Sequence, residues 1–282
     1  MEEEQRKMGI QLIALDLDGT LLNSAKQVTP HTFEVLEKAA SKGVVIVPST
    51  GRSIDGIPEN IAKLPFVQYA LTLNGAVVAN IRTKEIVYQC NFSKEEALYL
   101  WDYIQKYDAL CDCAIDGELY MEQETFSKLA EYGQSPERIA LMRSTRKETL
   151  NIQQMLMKET TKTSKMNLLF NDMQERARAK KELEQIPFVE VSSSLERNLE
   201  LNRKGGNKGN GLLALAQYLG ITREQIMACG DSDNDYSMIK AAGLGVAMEN
   251  GLEEIKRIAD KVTLSNDQDG VAYAIEQWVL QD

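Results

Sequence analysis

Histidine is nearly absent: His31 is the only one in 282 residues. Any Ser–His or Cys–His dyad, or a zinc site built on two imidazoles, must use it or fail. It follows Thr29-Pro30 at an expected helix start and reads as an exposed turn residue, so proton transfer falls to carboxylates and lysines. Cysteine is sparse too, with four thiols. Cys111 and Cys113 lie two apart on an expected strand. With Cys90, Cys229 and one imidazole they make neither a zinc nor a redox centre, and are read as structural. No run of about 18 apolar residues exists, so nothing is expected to span a membrane. The charged start, Met1–Lys7, lacks the apolar stretch of an export signal. Reduced thiols without an export signal suggest a cytoplasmic protein. Positive charge is the minority sign. The 32 basic against 42 acidic side chains give a net charge of −10, which repels nucleic acid and anionic lipid.

What is present is ordinary globular material, 43% hydrophobic and 26% charged. The length suggests about two domains, and a chain of this size buries roughly 75% of its unfolded surface without disulfide or metal staples. Ile10–Asp16 is apolar on both faces and stops in acid, the pattern of a buried parallel strand. The spacing predicts a helix over Thr32–Ser41, a strand over Val44–Pro48, a helix over Ile54–Leu64 and a strand over Tyr69–Leu73. Such alternation argues for a doubly wound parallel sheet. The pattern then changes. Ala76–Asn80 and Ile86–Cys90 read as paired strands, and Lys94–Lys106 as a helix. Leu110–Ile115 and Glu118–Glu122 flank Asp116-Gly117, a strong hairpin signal. Strands at Lys165–Phe170, Val189–Ser193 and Asn198–Asn202 follow. Alternation resumes with a helix over Gly211–Leu219, a strand over Ile226–Cys229, a helix over Tyr236–Ala242, a strand over Leu244–Ala247 and a helix over Leu252–Ala259. The expected architecture is α/β. A doubly wound parallel-sheet core is formed by residues 1–84 and 196–282, and an α+β domain, 85–195, is inserted between them.

Open parallel sheets bind ligands at the carboxyl ends of their strands. Three strands here end unusually: the first in Asp16-Leu17-Asp18-Gly19-Thr20, the second in Ser49-Thr50-Gly51-Arg52, and the strand after the insert in Gly230-Asp231-Ser232-Asp233-Asn234-Asp235. Lys208 precedes the helix that leads to the last of these. Asp16 and Asp18 lean to one side of an extended backbone, and with Asp231 they offer hard oxygen ligands to an ion of magnesium's size. A carboxylate could attack phosphorus, and a second one two residues on could protonate the leaving oxygen and later deprotonate water. Lys208, the Thr50 hydroxyl and backbone N–H groups could hold the phosphoryl oxygens. Each piece has a bland alternative: a solvated Asp-x-Asp-Gly turn, a Ser-Thr helix cap, a capped acidic loop or weak calcium site, a surface lysine. Their order and shared placement at strand ends is what points to chemistry.

At these residues the chain resembles the haloacid dehalogenase-like (HAD) phosphohydrolases, and among them the Cof-type sugar-phosphate phosphatases. The four motifs are matched by Asp16–Thr20, Thr50-Gly51-Arg52, Lys208-Gly209 and Gly230–Asp235. Asn74-Gly75-Ala76, Ala247–Asn250 and Asn266–Ala272 also fit the subfamily. The resemblance covers about Met8–Arg82 and Asn198–Trp278, and within the insert it lies in the topology of a cap domain. It implies a HAD-like core with an inserted cap that selects substrate. Asp16 would be the nucleophile and a Mg2+ ligand. Asp18 would be the acid/base, giving its backbone carbonyl to the metal. Asp231 would be a metal ligand with Asp235 supporting it. The Leu17 backbone, Thr50, Gly51, Lys208 and Asn234 would contact phosphate. The glycine-rich approach Gly205-Gly206-Asn207 departs from the usual pattern and leaves Lys204 as a rival lysine. The implied activity is magnesium-dependent hydrolysis of a small phosphorylated metabolite, a sugar phosphate, through an aspartyl phosphate, rather than dehalogenation. Two alternatives share the apparatus. One is a phosphomutase of the phosphomannomutase type. The other is a phosphate-accepting signalling module, which is normally shorter and lacks the second acid.

Overall fold

The first apolar run does form a strand buried on both faces, β1 (Leu12–Asp16), at the centre of the larger of two sheets. The computed structural model describes residues 9–132 and 135–281, so the Met1–Lys7 segment lies outside the described residues. After β1 come β2 (Val45–Ser49), β3 (Tyr69–Thr72), β4 (Val77–Asn80) and β5 (Ile86–Gln89). The next six strands are β6 (Ala109–Ile115), β7 (Glu118–Glu122), β8 (Arg146–Thr149), β9 (Thr163–Phe170), β10 (Val189–Ser192) and β11 (Asn198–Arg203). The chain then adds β12 (Ile226–Gly230), β13 (Leu244–Ala247) and β14 (Lys261–Val262).

The core sheet has the order β14-β13-β12-β1-β2-β3-β4-β5. It is parallel from β14 to β3, and β4 and β5 add antiparallel at one edge. Side-chain alternation divides β1 between two layers. Ile13 and Leu15 pack on one face with the helices Pro30–Ser41 and Gly270–Trp278. Leu12 and Ala14 pack on the other with Leu212, Leu215 and Ala216 of the helix Lys208–Leu219. The chain leaves β1 for β2 on one side and returns at β12 on the other. The strand order therefore reverses beside β1, and a crevice opens at the carboxyl ends of β1 and β12.

The second sheet, β10-β11-β9-β6-β7-β8, is antiparallel except where β7 pairs with β8. Asp116 and Gly117, with φ of 52° and 85°, turn β6 into β7 as their residue types demand. Alternate residues Cys111, Cys113, Met166, Leu168, Phe170, Leu199 and Leu201 bury against helices Lys94–Ile104 and Met173–Leu183. The period of two sends Asp112, Lys165, Asn167, Asn198 and Glu200 to the opposite face, where they line a cavity shared with the core.

The division expected at 85 and 195 differs from sheet membership at both ends. β5 completes the core sheet because it pairs with β4, and β11 is a central cap strand between β9 and β10. Hairpin signals mark where strands pair, but not which sheet they join. The continuous helix expected over Ile54–Leu64 is a 3-10 turn, Ile54–Gly56, and a short helix, Glu59–Ala62, separated at Pro58. His31 sits exposed in the first turn of its helix, 3.7 Å from Glu276, away from the crevice. The four cysteines are free thiols. Burial raises Cys111 to about 12 and pushes Cys113 well up, which suits packing and not reactivity.

Candidate active site

Asp16, the last residue of β1, is 7% exposed. The ammonium of Lys208 lies beneath it, fully buried at the start of its helix, and donates to Asp16 Oδ1 and Asp235 Oδ1, each at 2.6 Å. Burial opposes the lysine's charge, but the two carboxylates outweigh it and raise its pKa. The rival, Lys204, is exposed.

The helix start can come this close because Gly209 lacks a side chain: a Cβ there would stand 2.4 Å from the Ser237 carbonyl. Asn207 caps the same helix, accepting from the Asn210 N–H at 2.9 Å. Gly19, with φ of 93°, plays the matching part on the first loop. A Cβ there would meet Asp231 Oδ2 at 2.6 Å, so this left-handed turn admits only glycine beside the carboxylate.

Asp231 follows β12 and accepts from Thr20 Oγ1 at 2.8 Å and Ser232 Oγ at 2.7 Å. Asp235 returns to the same loop, its Oδ2 accepting the N–H groups of Asp231 and Ser232, both at 3.0 Å. Asp16, Asp231 and Asp235 offer oxygens that all lie within 4.8 Å of one another. Crowding shows in their titration. Burial, then the neighbouring Asp235, pushes Asp231 up to about 6, against its hydrogen bonds and Lys208. Burial also raises Asp16 well above the carboxylate range, opposed by Lys208 and reinforced by Asp235 and Asp231. Three carboxylates about one ammonium, all oxygen donors, fit a hard divalent cation in chemistry and in charge.

Asp18 stands apart from this cluster. Its carboxylate accepts from Arg52 Nη2 and Lys26 Nζ, each at 2.7 Å. Burial disfavours its charge, but Arg52 and then Lys26 more than compensate and hold it below the usual range. The sequence suggested nothing of this clamp, although Arg52 belongs to the second motif. The Thr50 hydroxyl accepts from the Arg52 N–H at 3.2 Å, which leaves its own proton to donate. Asn234 Nδ2 donates to Asn74 Oδ1 at 3.2 Å. Leu17 is fully buried, its carbonyl accepting from Leu22 N–H at 2.9 Å. Asp16, Asp18, Thr50, Gly51 and Asn234 line one cavity of about 240 Å³ between the two sheets. Every sequence-derived site residue thus gathers at the carboxyl ends of β1, β2 and β12.

Two residues the motifs missed complete the crevice. Lys165, from β9 of the cap, is 1% exposed and bonds Gly51 O at 2.9 Å and Glu200 Oε1 at 2.7 Å. Glu200 Oε2 accepts from Asn74 Nδ2 at 2.9 Å. A lysine within a strand reads by default as solvent-facing, so sequence alone hides this contact.

Comparison with known proteins agrees with this geometry. The family model for haloacid dehalogenase-like hydrolases matches residues 13–275. The 5-amino-6-(5-phospho-D-ribitylamino)uracil phosphatase YcsE of Bacillus subtilis is 34% identical, covering 99% of this chain and 100% of its own. Phosphatase YwpJ of the same organism is 32% identical, with 95% and 99% covered. Among solved structures, a haloacid dehalogenase-like hydrolase from B. subtilis superposes with a TM-score of 0.83 at 29% identity, covering 95% of this chain and 99% of that one. Another, from Bacteroides thetaiotaomicron, gives 0.77 at 32% identity, with 95% and 99% covered. The chain belongs to the haloacid dehalogenase-like hydrolases, in their Cof-type group, and its enzyme class is phosphomonoester hydrolase.

Proposed function

We propose that this HAD phosphatase is magnesium-dependent and hydrolyses small phosphate monoesters, sugar phosphates above all, by passing the phosphoryl group to Asp16 and then to water. The observation that carries this reading is the buried Lys208 ammonium, 2.6 Å from both Asp16 and Asp235, under a carboxylate that lines the cavity between the two sheets. It orients the Asp16 carboxylate and keeps a positive charge beside the position where phosphoryl oxygens gain charge.

Asp16 and Asp231, with the backbone carbonyl of Asp18, are the groups that would hold Mg2+. Asp235 already spends both oxygens on Lys208 and on two N–H groups, which suits support rather than direct ligation. Magnesium, when bound, supplies neutralisation of phosphate charge. The Thr50 hydroxyl, the backbone N–H groups of Leu17 and Gly51, Lys208 and Asn234 would bind phosphoryl oxygens. Asp18 would give a proton to the leaving oxygen in the first half-reaction and take one from water in the second. Arg52 and Lys26 hold Asp18 ionised in this arrangement, ready for the second role. The first role needs a protonated Asp18. An arriving phosphate dianion would compete for those two cations and let Asp18 take up its proton.

The cap supports hydrolysis over the mutase alternative. Its cations at the cavity are each matched by an acid, Lys165 by Glu200 and Arg146 by Asp112. Neither is spare for the second phosphate of a sugar bisphosphate.

The test is phosphate release from an aryl phosphate and from hexose phosphates, with added Mg2+ and with metal stripped by chelator. Activity is expected only with metal, and hexose phosphates are expected to give sugar and inorganic phosphate in equal amounts. Asp16→Asn should lose activity while its circular dichroism stays unchanged. Retention of more than about a tenth of kcat, a loss under roughly 1.4 kcal/mol, would move the nucleophile elsewhere. Conversion of hexose 1-phosphate to hexose 6-phosphate faster than phosphate appears would favour the mutase.

A further inference from the structure

The loop that leaves Asp18 is held from outside by two stretches late in the chain. Gly19 O accepts from Asn250 Nδ2 at 2.8 Å, and Leu22 O accepts from Asn266 Nδ2 at 2.9 Å. The two amides are tied to each other, since Asn250 Oδ1 accepts the Asn266 N–H at 2.9 Å. Asp267 then takes Ser24 with both oxygens. Its Oδ1 accepts the Ser24 N–H at 2.7 Å and its Oδ2 the Ser24 hydroxyl at 2.6 Å.

Within this frame the chain doubles back on Asp18. Asn23 N–H donates to Gln27 O at 3.0 Å, and Lys26 N–H to Asn23 O at 2.8 Å. Lys26 has a φ of 59°, in the left-handed region that an L side chain avoids. Its ammonium reaches Asp18 Oδ1 at 2.7 Å, and both side chains line the cavity. Arg52 grips Oδ2 alone, through Nε at 3.2 Å and Nη2 at 2.7 Å. Leu21 and Leu22 are buried, but residues 24 to 27 are exposed. The far half of the turn therefore rests on its hydrogen bonds and not on apolar burial.

Resting on the phosphatase reading of the site, we propose that Asn266 and Asp267, with Asn250, are positioning residues for the acid/base, Asp18. They act through the backbone of Gly19 and Leu22 and through Lys26, and they touch no reacting atom. Asp18 must bring a carboxyl oxygen within hydrogen-bond reach of the leaving oxygen, and later of water. A carboxylate held at Oδ2 alone can swing about that oxygen, and Lys26 at Oδ1 removes the freedom. Lys26 stands where it does because Asp267 fixes Ser24, two residues earlier. Displacing a catalytic group slightly costs rate while leaving substrate binding nearly intact.

The experiment compares phenyl phosphate and 4-nitrophenyl phosphate, esters of similar size, with the Mg2+-loaded enzyme. A phenol ionises only near a pKa of roughly 10, so phenoxide leaves badly without a proton. The nitro group stabilises the departing anion, which needs the acid far less. The ratio kcat/KM reports the step in which the leaving group departs. Asp267→Ala and Asn266→Ala should each lower it by about tenfold for phenyl phosphate and by less than about threefold for 4-nitrophenyl phosphate, chiefly through kcat. Asp267→Asn keeps an acceptor for the Ser24 N–H and a donor for its hydroxyl, and should restore the wild-type ratio between the esters. Asp260→Ala is the control for stability. It removes a comparable bond, from the Gly245 N–H at 2.8 Å, at the amino ends of β13 and β14, and should leave the ratio unchanged. Equal losses on both esters would make the network a structural brace and overturn the proposal, as would no loss or a larger loss on 4-nitrophenyl phosphate. Each of these results leaves phosphate release by the wild type intact, so the broader reading survives. No release from either ester by the wild type would sink that reading instead. Should Asn266→Ala fail to fold, the exposed Asp267→Ala decides alone.

Discussion

Lys165 of the cap donates to the carbonyl of Gly51 in the core across 2.9 Å, and nothing in either residue's own domain requires it to. Gly51 follows Thr50, so the contact fixes the loop proposed to hold phosphate. The same ammonium is paired with Glu200, which in turn holds Asn74, the partner of Asn234. Cap position and phosphate-loop geometry are thereby coupled through buried polar groups.

Replacing Lys165 with methionine should therefore act twice. It leaves Glu200 buried without its counter-charge, which costs about 3–5 kcal/mol. It also frees the Gly51 loop, with an expected loss of about tenfold in kcat/KM, or about 1.4 kcal/mol. The double variant Lys165→Met, Glu200→Leu should recover much of the stability and little of the activity. Urea denaturation and aryl-phosphate kinetics on the same samples separate the two effects. Full recovery of both would mean the pair does not position the loop.

Acid should weaken the protein through Glu200. Burial disfavours its charge, but Lys165 and the donated hydrogen bonds prevail and hold it below the usual glutamate range. A lowered folded-state pKa contributes stability that is fully present above the unfolded value, about 4.3, and is lost as pH falls through the folded value. The urea midpoint of the wild type should thus fall more steeply below about pH 4.3 than that of Glu200→Gln. Equal slopes would mean that Glu200 is not ionised in the folded protein.

The core was legible because its signals are local. An apolar run ending in Asp16, a Thr-Gly-Arg turn after β2 and an acidic loop after β12 each state their place at a strand end, and only a parallel sheet brings three such ends together. The cap site was not legible, for the same physical reason that makes strands work. Asp112, Asn167 and Glu200 alternate with apolar neighbours and Lys165 precedes Met166, and alternation normally means that the polar face meets water. Here it meets another domain. Lys165 reads as a surface lysine until the core covers it. Likewise, β7 and β8 pair in parallel through a long helical connection that no turn motif announces.

Gly209→Ala tests how closely the lysine helix must approach. Its added methyl would meet backbone of Ser237 at 2.4 Å, which no rotamer can relieve. The helix start must withdraw, carrying Lys208 away from Asp16 and Asp235. Expected are a loss of about 1–3 kcal/mol in stability, typical of overpacking, and a fall in kcat larger than the rise in KM. Gly220→Ala at the far end of the same helix is a control: no atom lies within 4 Å of its would-be Cβ. Its φ of 71° should still cost some stability, but it should leave kcat alone.

Sheet membership decides how the cap can be removed. Tyr88 Oη donates to Gly205 O at 3.3 Å, and Cys90 Sγ lies 3.9 Å from Lys204 O, so the two crossings between domains run side by side. Excising 91–204 and closing the gap with a short linker keeps β5 on the core sheet and takes β11 away with its partners β9 and β10. Excising 85–195 does the reverse. It strips the core of β5 and leaves Leu199 and Leu201, both fully buried in the intact protein, with no sheet to cover them. The first variant should be the more stable and the more soluble, since stranded apolar side chains favour aggregation. Asp16, Asp18, Lys208 and Asp231 all remain in it, so aryl-phosphate hydrolysis should persist. Its rate should be reduced about as far as in Lys165→Met, because both lose the same hold on Gly51. Greater stability of the 85–195 deletion would return β5 to the cap and β11 to the core. A folded 91–204 deletion no faster than buffer would place a group essential to the chemistry within the cap.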